Sequence, residues 1–289
     1  MEKVAQTYDN YIEKLMTQNA KDNKSALNSE LINKIPLTDV YTNSITVAVG
    51  KQRSGKTRKI IKEIIKVSKM HNETHMLIYV NKTGNKMDKT FESFKDLISL
   101  PIVYCSQDDC EDMLRHIITY KEKYNQLIQS QDPDEIDDTD PEVVDILDNL
   151  GLEDFSRPYL HTLVLLDDIA NSPMLKKPTT YMNSLLTQCA HINMSFFLSV
   201  QYWIGLPANI KSQATVVFMF GGFSKQQLHY LLGQMSLQNP FDEIWDIYKT
   251  LKSHDFFTVD IPSSEYTVNL VKLSKEEKKN KDNKKDKQE

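Results

Sequence analysis

The chain is poor in cysteine, and none of it falls in a pattern that would carry structure. Cys105, Cys110 and Cys189 are odd in number and form no C-x-x-C pair. That excludes a disulfide framework and a cysteine zinc site, and it makes a reducing, intracellular setting the default expectation. No apolar run approaches the length needed to cross a bilayer. The first residues, MEKVAQTYDNYIEKLMTQNAKDNK, lack the apolar stretch of a secretory signal, so neither a secreted nor a membrane-spanning protein is expected. Positive charge is not in excess either. A formal net charge of -5 argues against a uniformly basic nucleic-acid-binding coat and leaves only local patches. Arginine is scarce: only Arg53, Arg58, Arg115 and Arg157 occur in 289 residues.

What is present is ordinary for a soluble globular protein, with 40% hydrophobic and 26% charged residues and enough chain for one sizeable core plus extensions. From Ser44 onward, Ile45, Val47 and Val49 alternate in a β-rich run that ends on Gly50. The stretch TRKIIKEIIKVSKM then carries apolar residues at helical spacing. Further short apolar runs follow at HMLIYV (75–80), LPIVYC (100–105), LVLLDD (163–168), SFFLSV (195–200) and TVVFMF (215–220). Most are separated by segments of helical periodicity. Buried strands alternating with helices predict an α/β fold with a mostly parallel sheet covered on both faces. DFFTVDIPSSEYTVNLVKL predicts a C-terminal β-hairpin turning at Pro262 to Ser264.

The expected organisation is an N-terminal extension over 1–43, a domain over 44–273 and a tail over 274–289. The extension reads as a short amphipathic helix around Tyr8, Ile12, Leu15 and Met16 followed by an irregular connection. Within the domain, residues 129–148 are crowded with aspartate and broken by Pro133 and Pro141, which predicts a solvated, flexible insertion. An acidic arm that mimics DNA or binds a basic partner is the alternative. The lysine-rich tail reads as disordered, either a solubilising terminus or a weak DNA tether.

The chemistry begins at VAVGKQRSGKT. The spacing Gly50-x4-Gly55-Lys56-Thr57 matches a phosphate-binding loop, in which backbone N–H groups curl around phosphates and the lysine reaches the β- and γ-phosphates. Thr57 would hold Mg²⁺. The candidate nucleotide-binding set is Gly50, Lys51, Gln52, Arg53, Ser54, Gly55, Lys56, Thr57 and Arg58. A β-run before the loop and a helical run after it aim a helix N-terminus at the phosphates. A glycine-bearing surface turn would not explain why both glycines and the Lys-Thr pair fall in register.

A nucleotide hydrolase also needs carboxylates at the end of a neighbouring strand. HTLVLLDDIA supplies Asp167, the candidate for the metal shell, and Asp168, the candidate base; alone, such a pair would as readily cap a helix. NMSFFLSVQYW ends a third strand on Gln201, whose amide is placed to contact the γ-phosphate or its attacking water. Alone, a glutamine after a strand is more often a loop residue. Phe196, Phe197, Tyr202 and Trp203 read as packing rather than as a base-stacking platform. Lys82, Lys86, Lys89, Lys176 and Lys177 read as solvated surface.

With these motifs in order, the chain resembles the genome-packaging ATPases of large DNA viruses and their virophages, the poxvirus-type branch of the FtsK/HerA superfamily. GKQRSGKT, LVLLDDIA, QCAHINMSFFLSVQYW and VVFMFGGFSKQQL carry the resemblance, over residues from about 44 to 235. It implies a RecA-like ASCE P-loop core that binds ATP and Mg²⁺, with Lys56 and Asp168 catalytic and Gln201 the sensor. It also implies a homo-oligomeric ring that drives double-stranded DNA, independent of sequence, into a preformed capsid through contacts with capsid or portal-vertex proteins. The implied location is the host cytoplasm or viral factory, with association to the virion.

One position departs from the family. An arginine is expected just before His191, and the chain has Ala190 there. The arginine finger that stabilises the transferring phosphoryl group must then come from elsewhere: Arg115, Arg157 or a lysine. Two other readings compete. A small-molecule kinase would show an arginine-rich lid, which four arginines do not provide. A nucleotide-gated scaffold would have no need of both Asp167 and Asp168.

Overall fold

The computed structural model describes residues 42–269 apart from 72, 83, 85–88, 158, 170–171, 177–180, 236–240, 253 and 263. The expected N-terminal helix and the lysine-rich tail lie outside the described residues, as do Lys86 and Lys177.

The elements, in chain order, are β1 (Ile45–Val49), α1 (Lys56–Met70), β2 (Thr74–Asn81), α2 (Lys89–Phe94), β3 (Ile102–Ser106), α3 (Cys110–Ser130), α4 (Pro141–Leu150) and β4 (His161–Asp167). There follow α5 (Pro173–Lys176), α6 (Tyr181–Thr187), β5 (Met194–Val200), α7 (Ala208–Gln213), β6 (Ala214–Phe220), α8 (Lys225–Gly233), α9 (Phe241–Tyr248), β7 (Phe256–Asp260) and β8 (Glu265–Asn269). Eight strands form one sheet in the order β3-β2-β4-β5-β1-β6-β7-β8. All pairings from β3 to β6 are parallel, and β6–β7 and β7–β8 are antiparallel. The expected fold class, a mostly parallel α/β sheet flanked by helices with a C-terminal hairpin, is the one observed.

Strand periodicity explains why both faces are dry. In β1, Val47 and Val49 join one core cluster and Ala48 the other; in β4, Val164 and Leu166 face one way, Leu163 and Leu165 the other. Each central strand is therefore a near-continuous apolar run, as expected of a parallel sheet covered twice. On one face α1 lays down Ile60, Ile61, Ile64 and Ile65, and α2 adds Phe91 and Phe94. On the other lie Leu114 and Ile117 of α3, with residues of α6, α8 and α9. The start of α8 is fixed by a reciprocal capping box between Ser224 and Gln227.

Residues 129–148 differ from the flexible insertion predicted above. α3 runs to Ser130, and after the connection 131–140, which holds a 3-10 turn at Pro133–Glu135, α4 is a capped helix. Asp140 accepts a hydrogen bond from Glu142 N, Pro141 occupies the first turn, and Gly151 closes the helix at φ 63°. Val143, Ile146, Leu147 and Leu150 share one face and pack with Tyr124, Phe155 and Leu160 in a small third core. Glu142, Asp145 and Asp148 lie on the exposed face of α4, where Asp145 accepts from the Tyr120 hydroxyl at 2.9 Å, whereas Asp132, Glu135, Asp137, Asp138 and Asp140 are exposed in the connection before it. The solvated reading holds for the connection 131–140, and it fails for 141–148 because a window of composition merges that connection with the apolar face of an amphipathic helix.

Candidate nucleotide site

Parallel strands bring their carboxyl ends to one edge of the sheet, and the candidate residues meet there. β1 lies between β5 and β6, with Val49 level with Val200 and Met219. β4 lies beyond β5, with Asp167 level with Ser199. Gly50, Asp167, Asp168, Gln201 and the Phe220–Gly222 turn therefore occupy a single rim. This is the position outside the strand ends where open α/β sheets bind ligands.

The loop conformation needs its glycines. A Cβ on Gly50 would stand 2.6 Å from Phe220 Cβ, and Gly55 adopts φ 104°. Arg53 is left-handed at φ 62°. α1 begins directly after Gly55 with no side-chain cap and no acidic residue in its first turn, so its first N–H groups and its positive dipole end stay available to an anion. Ser54 is buried, and its Oγ has no hydrogen-bond partner. A buried orphan hydroxyl inside such a loop is what a bound phosphate oxygen would satisfy. Lys51, Gln52 and Arg53 are exposed at the loop tip, and Thr57 is half-buried in the first turn of α1.

Lys56 is buried, and its Nζ donates to Gly50 O at 2.8 Å and Lys51 O at 2.9 Å. Burial pushes its pKa below the ordinary lysine value, while the charges of Asp168 and Asp167 pull it back up. The ammonium thus lies within electrostatic reach of both carboxylates. Asp167 is half-buried, and its Oδ2 accepts from the Tyr79 hydroxyl at 3.3 Å. Asp168 is exposed, left-handed at φ 55°, and its N–H donates to Ser199 O. Gln201 Nε2 lies 3.1 Å from each Asp168 carboxylate oxygen. The amide thus touches the candidate base directly, a contact that the sequence did not suggest.

Thr57, in the first turn of α1, and Asp167, at the end of β4, are the residues that could hold Mg²⁺. No three His, Cys, Asp or Glu groups gather as a protein cage among the described residues. A magnesium ion carried on a phosphate chain needs only one or two protein oxygens besides phosphate and water, so this donor set fits.

The remaining arginines are held by their own chain. Arg58 lies over the Phe94 ring, the Arg115 guanidinium stands 3.5 Å over the Tyr181 ring, and Arg157 Nη1 donates to Thr74 O. Thr74 opens β2, so Arg157 sits at the amino edge of the sheet, opposite the loop. His191 lies in the turn before β5.

Two contacts at the site were not legible in the sequence. Tyr79 reads as core within a β-run, and only its hydroxyl hints at the bond to Asp167. His254, between α9 and β7, places Nδ1 3.2 Å from Ser54 O. Nothing in the sequence links it to a loop so far away along the chain.

No protein-family model matches the sequence, and no curated protein matches it. Among solved structures, the chain is similar to the genome packaging NTPase B204 from Sulfolobus turreted icosahedral virus 2 in complex with AMP, at 21% identity over 80% of this chain and 98% of that one, with a TM-score of 0.49. The same NTPase in complex with ATP-gammaS matches at 20% identity, 80% and 98% coverage and a TM-score of 0.49. The cytoplasmic domain of the Thermomonospora curvata Type VII secretion ATPase EccC matches at 12% identity, covering 80% of this chain and 26% of that one, with a TM-score of 0.48.

Proposed function

We propose that the protein is an ATPase whose turnover drives double-stranded DNA into a viral capsid. The observation that carries the hydrolase part is the convergence of Lys56, Asp167, Asp168 and Gln201 on one rim of the sheet, around a loop with an unpartnered buried hydroxyl at Ser54. Gly50 to Arg58 take the phosphates, and Lys56 exchanges the carbonyls of Gly50 and Lys51 for phosphate oxygens. Thr57 and Asp167 would hold Mg²⁺, which would supply charge neutralisation for the phosphates. Asp168 accepts the proton of the attacking water, and Gln201 orients that carboxylate and reports the state of the γ-phosphate.

The DNA and capsid parts rest on the four motif stretches that resemble packaging ATPases. The same resemblance supports a ring of identical subunits, with a cation from a neighbouring subunit completing the site. Among the described residues no helix is long and apolar enough to cross a membrane.

The test is steady-state ATP hydrolysis with and without long linear double-stranded DNA, with Lys56→Ala as the blank. Turnover above the blank that DNA stimulates is expected. Turnover equal to the blank would overturn the ATPase, and turnover indifferent to DNA would overturn the DNA substrate.

A further inference from the structure

The C-terminal segment is fastened to the nucleotide site by a set of contacts that the proposed reaction does not yet use. The Tyr248 hydroxyl donates to Phe220 O at 2.6 Å and accepts from Phe223 N at 3.2 Å. Gly221 N donates to Asp255 O. The buried Asp255 carboxylate accepts from Lys252 N at 2.8 Å, and Asp255 N donates back to Lys252 O. The connection between α9 and β7 is thereby clamped onto the end of β6, next to the phosphate loop. From this connection His254 reaches Ser54 O with Nδ1, and a Cβ added to Gly55 would stand 3.4 Å from the same atom.

We propose that His254 is a positioning residue for nucleotide binding, acting through the Ser54–Gly55 peptide. A peptide is planar and trans, so its C=O and N–H point in opposite directions. A donor that holds Ser54 O on the outside of the loop therefore turns Gly55 N–H away from His254, toward the side where the loop curls. Gly55 is the left-handed residue through which the loop enters α1, and no side chain on the loop replaces this constraint, because α1 has no side-chain cap. Ser54 Oγ, on the same residue, is the buried atom with no partner. His254 thus fixes the peptide that presents both an N–H and a hydroxyl to a phosphate. The ligand class is a nucleoside triphosphate, and the inference rests on the ATPase reading.

The bond requires a hydrogen on Nδ1, so the replacement can be chosen by geometry. Asparagine carries its amide nitrogen the same number of bonds from Cα as histidine carries Nδ1. Glutamine reaches the place of Nε2 instead. The experiment measures the Kd of a fluorescent ATP analogue, KM and kcat for ATP, and the melting temperature of His254→Ala, His254→Asn and His254→Gln in the full chain, with Lys56→Ala alongside.

In His254→Ala and His254→Gln, Kd and KM should rise about fivefold, the size of one net hydrogen bond. The loss should fall on KM more than on kcat, and His254→Asn should recover most of it. Unchanged Kd in His254→Ala, with only a lower melting temperature, would reduce His254 to a structural contact and overturn the inference. Equal behaviour of the Asn and Gln proteins would overturn it too. Nucleotide binding by wild type that Lys56→Ala abolishes upholds the ATPase reading whatever His254 does; no binding by wild type removes both.

Discussion

Gln201 donates its amide to both carboxylate oxygens of Asp168, 3.1 Å each, across the ends of the neighbouring strands β5 and β4. While that bond stands, the amide shares the oxygens that a water proton would need. Under the proposed mechanism, a pull on Gln201 by the γ-phosphate would therefore change how free Asp168 is to act.

Asp168→Asn should keep nucleotide binding and stop turnover. Asparagine tolerates the left-handed φ of 55° as aspartate does, so the change isolates the charge. Loss of a general base lowers kcat by roughly 10²- to 10⁴-fold. Parallel Kd and single-turnover measurements check it, and full activity in the variant would remove Asp168 from the mechanism. Gln201→Ala should spare Kd and lower kcat by a smaller factor, about tenfold.

Lys56→Ala should abolish nucleotide binding. The ammonium is buried, hydrogen-bonded to Gly50 O and Lys51 O, and within the field of Asp167 and Asp168. No other lysine or arginine of the loop is buried in it: Lys51 and Arg53 are exposed. Equilibrium binding of an ATP analogue reads the loss directly.

Tyr79→Phe should keep the stack on Phe91, where the rings lie 4.1 Å apart, and remove only the hydroxyl that holds Asp167. Stability should fall by about 1 kcal/mol or less. The functional consequence expected is a higher Mg²⁺ concentration for half-maximal turnover, read from a magnesium titration. An unchanged titration would mean that the other contacts of Asp167 suffice to orient it.

Acid should destabilise the fold through two histidines at the amino edge of the sheet. Burial pushes the pKa of His75 and of His161 down to about 3, and the nearby Lys121 charge adds to both shifts. A folded value below the unfolded one means that the unfolded chain takes up the proton first. Their contribution is complete above the unfolded value of 6.5 and is lost as pH falls from there toward about 3, at about 1.4 kcal/mol per pH unit for each histidine. Chemical denaturation between pH 7 and 4 should show this slope, reduced in His161→Asn. Lys121 donates to Thr162 Oγ1, Ile192 O and Asn193 O, and burial lowers its pKa to about 7. Stability should therefore also rise with pH from about 7 toward 10.5, where the folded chain has lost a proton that the unfolded chain retains.

Ile146→Ala should destabilise the protein by about 2–5 kcal/mol, because Ile146 is buried in the small core of α3 and α4. Asp140→Ala should cost about 1 kcal/mol by removing the cap of α4. Urea midpoints measure both. Ile146→Ala with no effect on the midpoint would restore the solvated insertion that the acidic composition suggested.

How much was legible depended on whether the information was local. Alternation in β1 and the spacing Gly50-x4-Gly55-Lys56-Thr57 announced strand, loop and helix, because steric and hydrogen-bonding rules within a few residues decide such elements. The Asp167-Asp168 pair and Gln201 were legible as strand ends for the same reason. The caps of α4, Asp140 with Pro141 and Gly151, were equally local, yet the aspartate count outweighed them in the reading.

The sequence by itself determined the alternation of apolar strands and helices, the glycine-bearing loop and the polar residues at the ends of three strands, since each follows from periodicity and backbone sterics. Only the tertiary structure decided which strand ends adjoin, that Gln201 rests on Asp168, that Tyr79 holds Asp167 and that His254 reaches Ser54. Those contacts arise from the order in which strands pair, and strand order is settled by packing among residues far apart in the chain, where no local spacing records it.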